Sequence, residues 1–398
     1  MRFLFTSLPG TGHIHPLVPV AMALQANGHQ VAFASSRSVS DSLQRIGFRH
    51  LAIGPDWMEG GDDPIASRLR ALDNSGQNKL FIELAAMGAV SALLDHCEVW
   101  RPDAIVCEHT EYAGRLVGEL AGIPVATKLI GNPPPLPAIR VLVADLLDSV
   151  RKDVGLGSDP HLERFYGQLL LDSVPPSLAL TEAVPLHIRR KVRPHVFDAG
   201  GDESLPDWVH GLSAQPVVYA SLGTVFNRTS QLLEKIVEAL AGEAVTLIVT
   251  TGRNRDPQDL GRLPANVRAE RYIPQTLLFP RCSIVISHGG FNTMIAALDN
   301  GLPMYLLPLS ADQPRNTVRA VEAGFALSAA DTGEPPFGPV VVPANLDPLR
   351  VRAGVQRLLA EAGFATAAVR AKAEIDSMPG LGYEGRLLEQ LASTGRGD

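Results

Sequence analysis

The residues that could do chemistry stand just past apolar runs. In ISHGGFNT, Ile286–Thr293, a strand-like run ends at Ser287, and His288, Gly289 and Gly290 open a helix-like segment. Two glycines let backbone N–H groups approach an anion closely, and a helix N-terminus adds a favourable dipole. His288 can donate to a phosphate oxygen, with Asn292 and Thr293 as further donors in the first turn. The plainer alternative is a tight turn with a capping histidine. Downstream, LPLSADQPRN sets Asp312 and Gln313 past the apolar LPMYLL. Ligands of open parallel sheets lie at the carboxyl ends of strands, so this pair should face the same crevice as His288. A carboxylate beside an amide suits paired hydroxyls, as a sugar presents them; alone, the pair also reads as a helix cap. In NVRAERYIPQTLLFP, Tyr272 at a strand end can stack on a base or simply be half-buried, and Gln275 follows it. SLGT, Ser221–Thr224, is a further glycine turn with two hydroxyls.

A second strand–glycine turn–helix opens the chain. RFLFTS precedes LPGTGHIHP, Leu8–Pro16, and a helix-like run follows. That order usually marks a phosphate site, but the dinucleotide fingerprint needs three glycines. Gly10 and Gly12 are followed by His15 where the third belongs, with His13 between them.

The elements that must position these residues alternate. In the first half, RFLFTS, HQVAFAS, RPDAIVCEH and AGIPVATKLI read as strands. Helices are expected over Leu17–Asn27, over SVSDSLQRIG with a serine or aspartate cap, and over Tyr112–Leu120. From Val196 to Gln215 the apolar periodicity fades, which suits a linker. The alternation then restarts with PVVYASLGT, a capped helix over SQLLEKIVEALAG, AVTLIVTTG, SIVISHGG, FNTMIAALDNG and LPMYLLPL. Such alternation implies doubly wound parallel sheets. The expected domains are 1–200 and 215–375, joined by a linker over 201–214 and followed by a helix over 376–398. The stretches 55–77 and 131–137 (GNPPPLP) read as loops over a cleft.

Composition narrows the class. The chain has 398 residues, 45% hydrophobic and 19% charged, with a formal net charge of -7. That balance argues for two globular domains and against a broad nucleic-acid surface. Cys97, Cys107 and Cys282 are too few, and odd in number, for a disulfide framework. No unbroken apolar stretch of membrane-spanning length stands out, and the expectation is a soluble, cytoplasmic protein.

Taken together, Asn266–Asn316 resembles the donor-binding signature of the UDP-glycosyltransferase superfamily, and nearly the whole chain is similar to bacterial enzymes that glycosylate antibiotics and other natural products. The resemblance implies the α/β GT-B fold, two Rossmann-like domains with parallel sheets facing a central cleft. It implies that Tyr272 stacks on the base, where the family commonly has tryptophan, that Ile273 meets the base through its backbone, and that Gln275 lies near the ribose. His288, Gly289, Gly290, Asn292, Thr293 and Thr224 would line the diphosphate, and Asp312 and Gln313 would hold sugar hydroxyls. The first turn matches the family's G-H-x-x-P element at Gly12, His13 and Pro16. His13 would then be the general base on an acceptor hydroxyl, a task suited to histidine's near-neutral titration. Its acidic partner would be Glu108, where the family usually has aspartate, with Glu111 as the alternative. His15 has a supporting place.

The implied reaction is an inverting displacement from a UDP- or TDP-sugar co-substrate. It needs no cofactor and no metal, and the chain has no Asp-x-Asp pair. Trp57, Met58, Phe81 and Met87 stand in the segments expected to form the wall for a small lipophilic acceptor. Three other readings are weighed against this one: a non-catalytic GT-B auxiliary protein that activates a partner transferase, an NADP-dependent oxidoreductase, and a nucleotide-sugar epimerase or hydrolase. No nucleic-acid or integral-membrane partner is expected. Oligomeric state is left open, a homodimer included.

Overall fold

The computed structural model describes residues 1–56, 79–180, 187–198, 203–212, 214–223, 231–252, 255–329 and 346–395. It forms two compact units. The first comprises Met1–Val174, Leu180–Phe197 and Met378–Asp398, and the second Pro175–Ala179 and Asp198–Ser377. The chain thus changes unit at Phe197–Asp198, ahead of the 201–214 linker expected from composition.

The first unit is built on a seven-stranded sheet in the order β3-β2-β1-β4-β5-β6-β7. Its strands are β1 (Arg2–Thr6), β2 (Gln30–Ser35), β3 (Arg49–Ala52), β4 (Ala104–Glu108), β5 (Val125–Lys128), β6 (Leu169–Asp172) and β7 (Arg189–Lys191). All pairs are parallel, with Thr6 level with Cys107 and Glu108 level with Lys128. Phe3, Leu4 and Phe5 are all buried, so both faces of β1 are covered, as a parallel sheet requires. The crossover helices are α1 (Val18–Ala26), α2 (Ser40–Ile46), α3 (Met87–Trp100), α4 (Ala113–Ala121) and α5 (Leu136–Asp153).

The second unit repeats the plan with six parallel strands ordered β10-β9-β8-β11-β12-β13. These are β8 (Val217–Ser221), β9 (Thr246–Thr250), β10 (Val267–Glu270), β11 (Ile284–Ser287), β12 (Met304–Leu306) and β13 (Ala326–Ser328). Its helices include α6 (Leu232–Leu240), α7 (Phe291–Asp299), α8 (Gln313–Glu322), α9 (Pro348–Ala360) and α10 (Ala362–Ser377). The final helix, α11 (Leu381–Thr394), belongs to the first unit, where Leu387, Leu388 and Leu391 join the core of β1, β4 and α1.

Several local expectations change. Helix begins earlier than Leu17: a turn at Thr11–Ile14 and a 3₁₀ turn at His15–Leu17 run into α1, so His13 sits on helix rather than on a loop. Neither α2 nor α6 has a side-chain cap, their N-cap residues being Val39 and Gln231. The proline run is not wholly loop, because Leu136 and Pro137 open α5. Proline fits a first helical turn, where no N–H partner is needed. By length and composition Leu80–Trp100 is one helical stretch that could cross a membrane. Here Leu80, Ile82, Val90 and Leu93 are buried, and the helix packs on α4 and α5.

The docking of α11 also carries a buried charge pair. Lys128 Nζ lies 2.5 Å from Glu384 Oε1, with side chains only 2% and 0% exposed. Glu384 Oε2 finds no hydrogen-bond partner among the described residues. Burial, with Lys128 and then Arg193 adding like charge, pushes His195 down to about 4, so this imidazole is neutral near pH 7. Removing one partner strands a buried charge. Lys128→Met should therefore cost about 3–5 kcal/mol in urea unfolding, and Lys128→Met/Glu384→Leu should recover most of that loss. A single variant within 1 kcal/mol of wild type would contradict this assignment.

Candidate active site

Strand order reverses between β1 and β4 in one unit and between β8 and β11 in the other. At such a switch point the loops leaving two neighbouring strands diverge and open a crevice beyond their carboxyl ends. The candidate residues gather at these two places.

In the first unit, β1 leads past Gly10 into the helical turn that carries His13, and β4 ends at Glu108. His13 Nδ1 stands 2.9 Å from Glu108 Oε1. The carboxylate is fully buried and the imidazole 19% exposed. Thr110 donates its N–H to Glu108 Oε2 at 2.5 Å, and its hydroxyl lies 2.7 and 2.8 Å from the two carboxylate oxygens. Burial would raise Glu108, but the charge and hydrogen bond of His13, then His109 and the Thr110 N–H, outweigh it and hold the group at about 2. Glu108 is therefore an ionised acceptor. His13 must supply the proton between them from Nδ1, which leaves the lone pair of the neutral ring on Nε2. That is the tautomer a base needs.

Glu111, the alternative partner, turns elsewhere. It accepts from the Thr6 hydroxyl and from the N–H groups of Ala113 (2.6 Å) and Gly114 (3.0 Å), capping α4. Burial raises it from the usual carboxylate range, against the hydrogen bond from Thr6 and the charge of Arg115. A methyl on Gly114 would stand 2.4 Å from Thr6 Oγ1, so α4 can approach β1 only with glycine there. His15 packs edge-on against Phe197. Phe81 packs beside the apolar cluster of Leu8, Leu80 and Ala85. Met87 is half-buried at the start of α3. Trp57, Met58 and Thr224 lie outside the described residues.

In the second unit, β11 ends at Ser287 and His288 leads into α7 through Gly289 (φ +80°) and Gly290. The imidazole occupies the space between two glycine turns. A methyl on Gly223, beyond β8, would stand 2.8 Å from the ring, and one on Gly290 2.4 Å. Burial pushes His288 down to about 4, so near neutral pH it is an uncharged ring with one N–H to donate. Its Nδ1 is buried without a hydrogen-bond partner among the described residues.

The neighbours are fixed by short-range contacts. Gln313 Oε1 accepts from Leu309 N (2.8 Å) and Ser310 N (2.9 Å), which commits its oxygen to the protein. Asp312 Oδ2 accepts from Asn316 Nδ2 at 2.9 Å, and the same amide reaches Gly289 O at 3.0 Å. Gln275 Nε2 lies 3.3 Å from Tyr219 Oη and 3.4 Å from Thr293 Oγ1. Ile273 is buried. Tyr272 donates its hydroxyl to the Asp198 carbonyl, while the Asp198 carboxylate accepts from Thr276 N at 3.0 Å. Asn292 stands in the first turn of α7 and is half-buried. Sequence reading missed Thr110, Arg115, Asp198 and Asn316. Of these, only Thr110 carries a local signal, a hydroxyl residue two positions after an acid.

The cysteines are poor nucleophiles. Burial pushes Cys97 up to about 11 and Cys107 and Cys282 up to about 12.

Two Rossmann-like units with parallel sheets of this order form the GT-B fold of glycosyltransferases. Residues 231–381 match the family described as "Erythromycin biosynthesis protein CIII-like, C-terminal domain". The chain is 32% identical to the L-demethylnoviosyl transferase of Streptomyces niveus, over 82% of this chain and 85% of that one. It is 30% identical to the 4'-demethylrebeccamycin synthase of Lentzea aerocolonigenes, over 81% and 86%. A solved structure of spinosyn rhamnosyltransferase SpnG complexed with thymidine diphosphate superposes with TM-score 0.79 at 25% identity, covering 98% of this chain and 100% of that one. The chain belongs to the bacterial natural-product glycosyltransferases of the UDP-glycosyltransferase superfamily.

The Glu108 geometry has a stability consequence. A carboxylate held at about 2 against an ordinary 4.5 stabilises the fold above pH 4.5, and the contribution is lost as pH falls through that range towards 2. The full difference is about 3 kcal/mol. Urea midpoints at pH 5, 4 and 3 should therefore fall more steeply for wild type than for Glu108→Gln. Parallel slopes would mean that the carboxylate is not held by its neighbours.

Proposed function

We propose that this enzyme moves a sugar from a TDP- or UDP-sugar to a hydroxyl of a lipophilic natural-product acceptor, with inversion, without a metal, and with His13 as general base. The observation that carries the proposal is the His13 Nδ1–Glu108 Oε1 contact of 2.9 Å beside the β1–β4 switch point. In the mechanism, Nε2 takes the acceptor proton as the oxygen attacks the anomeric carbon. The imidazolium so formed faces an ionised Glu108, which lowers the cost of charge separation in a low-dielectric site.

The leaving diphosphate is assigned to the start of α7. Backbone N–H groups after Gly289 and Gly290 supply fixed donors, the helix dipole adds to them, and His288 contributes one hydrogen bond. Asp312 offers carboxylate oxygens to sugar hydroxyls, and Gln313, its oxygen already engaged, offers the amide N–H groups. Tyr272 is assigned to the base with Ile273, and Gln275 to the ribose. The thymidine diphosphate of the spinosyn rhamnosyltransferase structure favours TDP over UDP. The names of the noviosyl and rebeccamycin relatives favour a natural-product acceptor. Phe81 and Met87, with Trp57 and Met58, are assigned to the acceptor wall. No cofactor is needed for this chemistry, and a cytoplasmic location goes with it.

The test separates the two assignments. His13→Ala should lower turnover about 10²–10⁴-fold while TDP binding, measured by titration calorimetry, stays within twofold. His288→Ala should weaken TDP binding about tenfold or more, as expected for one lost hydrogen bond to a charged group. EDTA should leave turnover unchanged. A His13→Ala enzyme as active as wild type would refute the general-base role.

A further inference from the structure

We propose that Thr110 is a positioning residue for the reaction, clamping the Glu108 carboxylate in the orientation that receives His13 Nδ1–H. The proposal rests on the general-base reading above and adds to it the group that aims the acid.

A glutamate at the end of β4 has one more rotatable bond than an aspartate would. Its terminal torsion is broad, so burial alone does not fix which way the carboxylate plane faces. Thr110 removes that freedom from two sides. Its N–H holds Oε2 at 2.5 Å, and its hydroxyl lies 2.7 Å from Oε1 and 2.8 Å from Oε2. The hydroxyl has one proton, which goes to the carboxylate. Its lone pairs then face His13 Nδ1, 3.2 Å away, and share the Nδ1–H with Glu108. Thr110 thus touches both members of the pair, and its contacts suit only the tautomer with the proton on Nδ1.

The backbone that carries Thr110 is itself pinned. Arg115 donates from Nη2 to the carbonyls of His109 (2.9 Å) and Glu111 (2.7 Å), the residues on either side of Thr110. Its Nη1 reaches Phe165 O at 2.7 Å, and the guanidinium lies 4.4 Å from the Tyr112 ring and 4.9 Å from the Phe165 ring. The Glu111 N–H closes the turn on Glu108 O at 3.1 Å. The clamp therefore stands on a rigid base. The ionisable groups facing Glu108 are His13 and His109, with Glu111 behind the turn.

The experiment compares Thr110→Val, which keeps the shape and loses the hydroxyl, with Thr110→Ser, which keeps the hydroxyl. If Val disturbs the fold by circular dichroism, Thr110→Ala carries the same prediction. Protein labelled with ¹⁵N-histidine, with His13→Gln for assignment, gives the tautomer directly at pH 8 without substrate. Wild type and Thr110→Ser should show His13 with its proton on Nδ1, and Thr110→Val a tautomer-averaged ring. With TDP-glucose and a panel of phenol and macrolactone acceptors, Thr110→Val should lower kcat about tenfold to a hundredfold with both KM values within twofold. In a Glu108→Gln background the same substitution should cost less than twofold, because Thr110 acts through the carboxylate. A Thr110→Val protein that keeps the single Nδ1–H tautomer, or that loses as much activity in the Glu108→Gln background as in wild type, overturns the assignment. If that happens while His13→Ala is inactive, only the clamp falls. If His13→Ala turns over normally, the base reading falls and the clamp with it.

Discussion

A buried carboxylate must be surrounded by donors, and Glu108 is the buried charge on which the candidate site of the first unit depends. Left to burial alone it would take up a proton and cease to orient anything. His13 and Thr110 keep it ionised. The surrounding fold can be read as what delivers those donors. The β1–β4 pairing brings the glycine turn beside the end of β4, a turn of helix at Thr11–Ile14 aims His13, and Arg115 staples the loop behind it. Glu111, three residues on, is equally buried and lies in a different web, capping α4 and gripping Thr6. Two similar acids three residues apart are separated in task by which donors reach them.

The second unit solves a different problem with the same topology. On the proposed reading it presents backbone donors to an anion rather than keeping one buried. Glycines at 223 and 290 leave room for the His288 ring between two turns. Asn316 and the Gln313 carbonyl oxygen tie the loop before α8 into place. Commitment of the Gln313 side-chain oxygen to Leu309 N and Ser310 N leaves that residue its amide N–H groups to offer. The repeated doubly wound sheet thus holds a His–Glu pair at one switch point and a His-Gly-Gly helix start at the other; the proposed function gives the first to acid–base chemistry and the second to the diphosphate.

Much of this was legible because the informative residues sit where strands end. The alternation of apolar runs and glycine turns marks β1, β2, β4, β5, β8, β9, β11 and β12, and the histidines and acids stand immediately after them. What escaped notice has physical reasons. β3, RHLA, and β7, RRK, are short and polar at an edge, so they lack an apolar run. α5 was hidden by the prolines before it, although proline is tolerated in a first turn. The helix from Leu80 is apolar on most sides because it packs among other helices, and periodicity is weak there. Thr110 and Arg115 act through backbone groups and through Glu108, relations that no spacing rule exposes. Whether Glu108 or Glu111 meets His13 could not be read from spacing, since both stand at the end of the same strand; the fold puts Glu108 at 2.9 Å.

The stereochemistry of the product tests the account most directly. A base that deprotonates the acceptor for a single displacement gives one outcome at the anomeric carbon. With an α-linked TDP-D-sugar as donor and any acceptor the enzyme accepts, the proton coupling across the new glycosidic centre should report a β-glycoside. An α-glycoside would mean two displacements or a front-face path, and would contradict a mechanism built on His13 and Glu108.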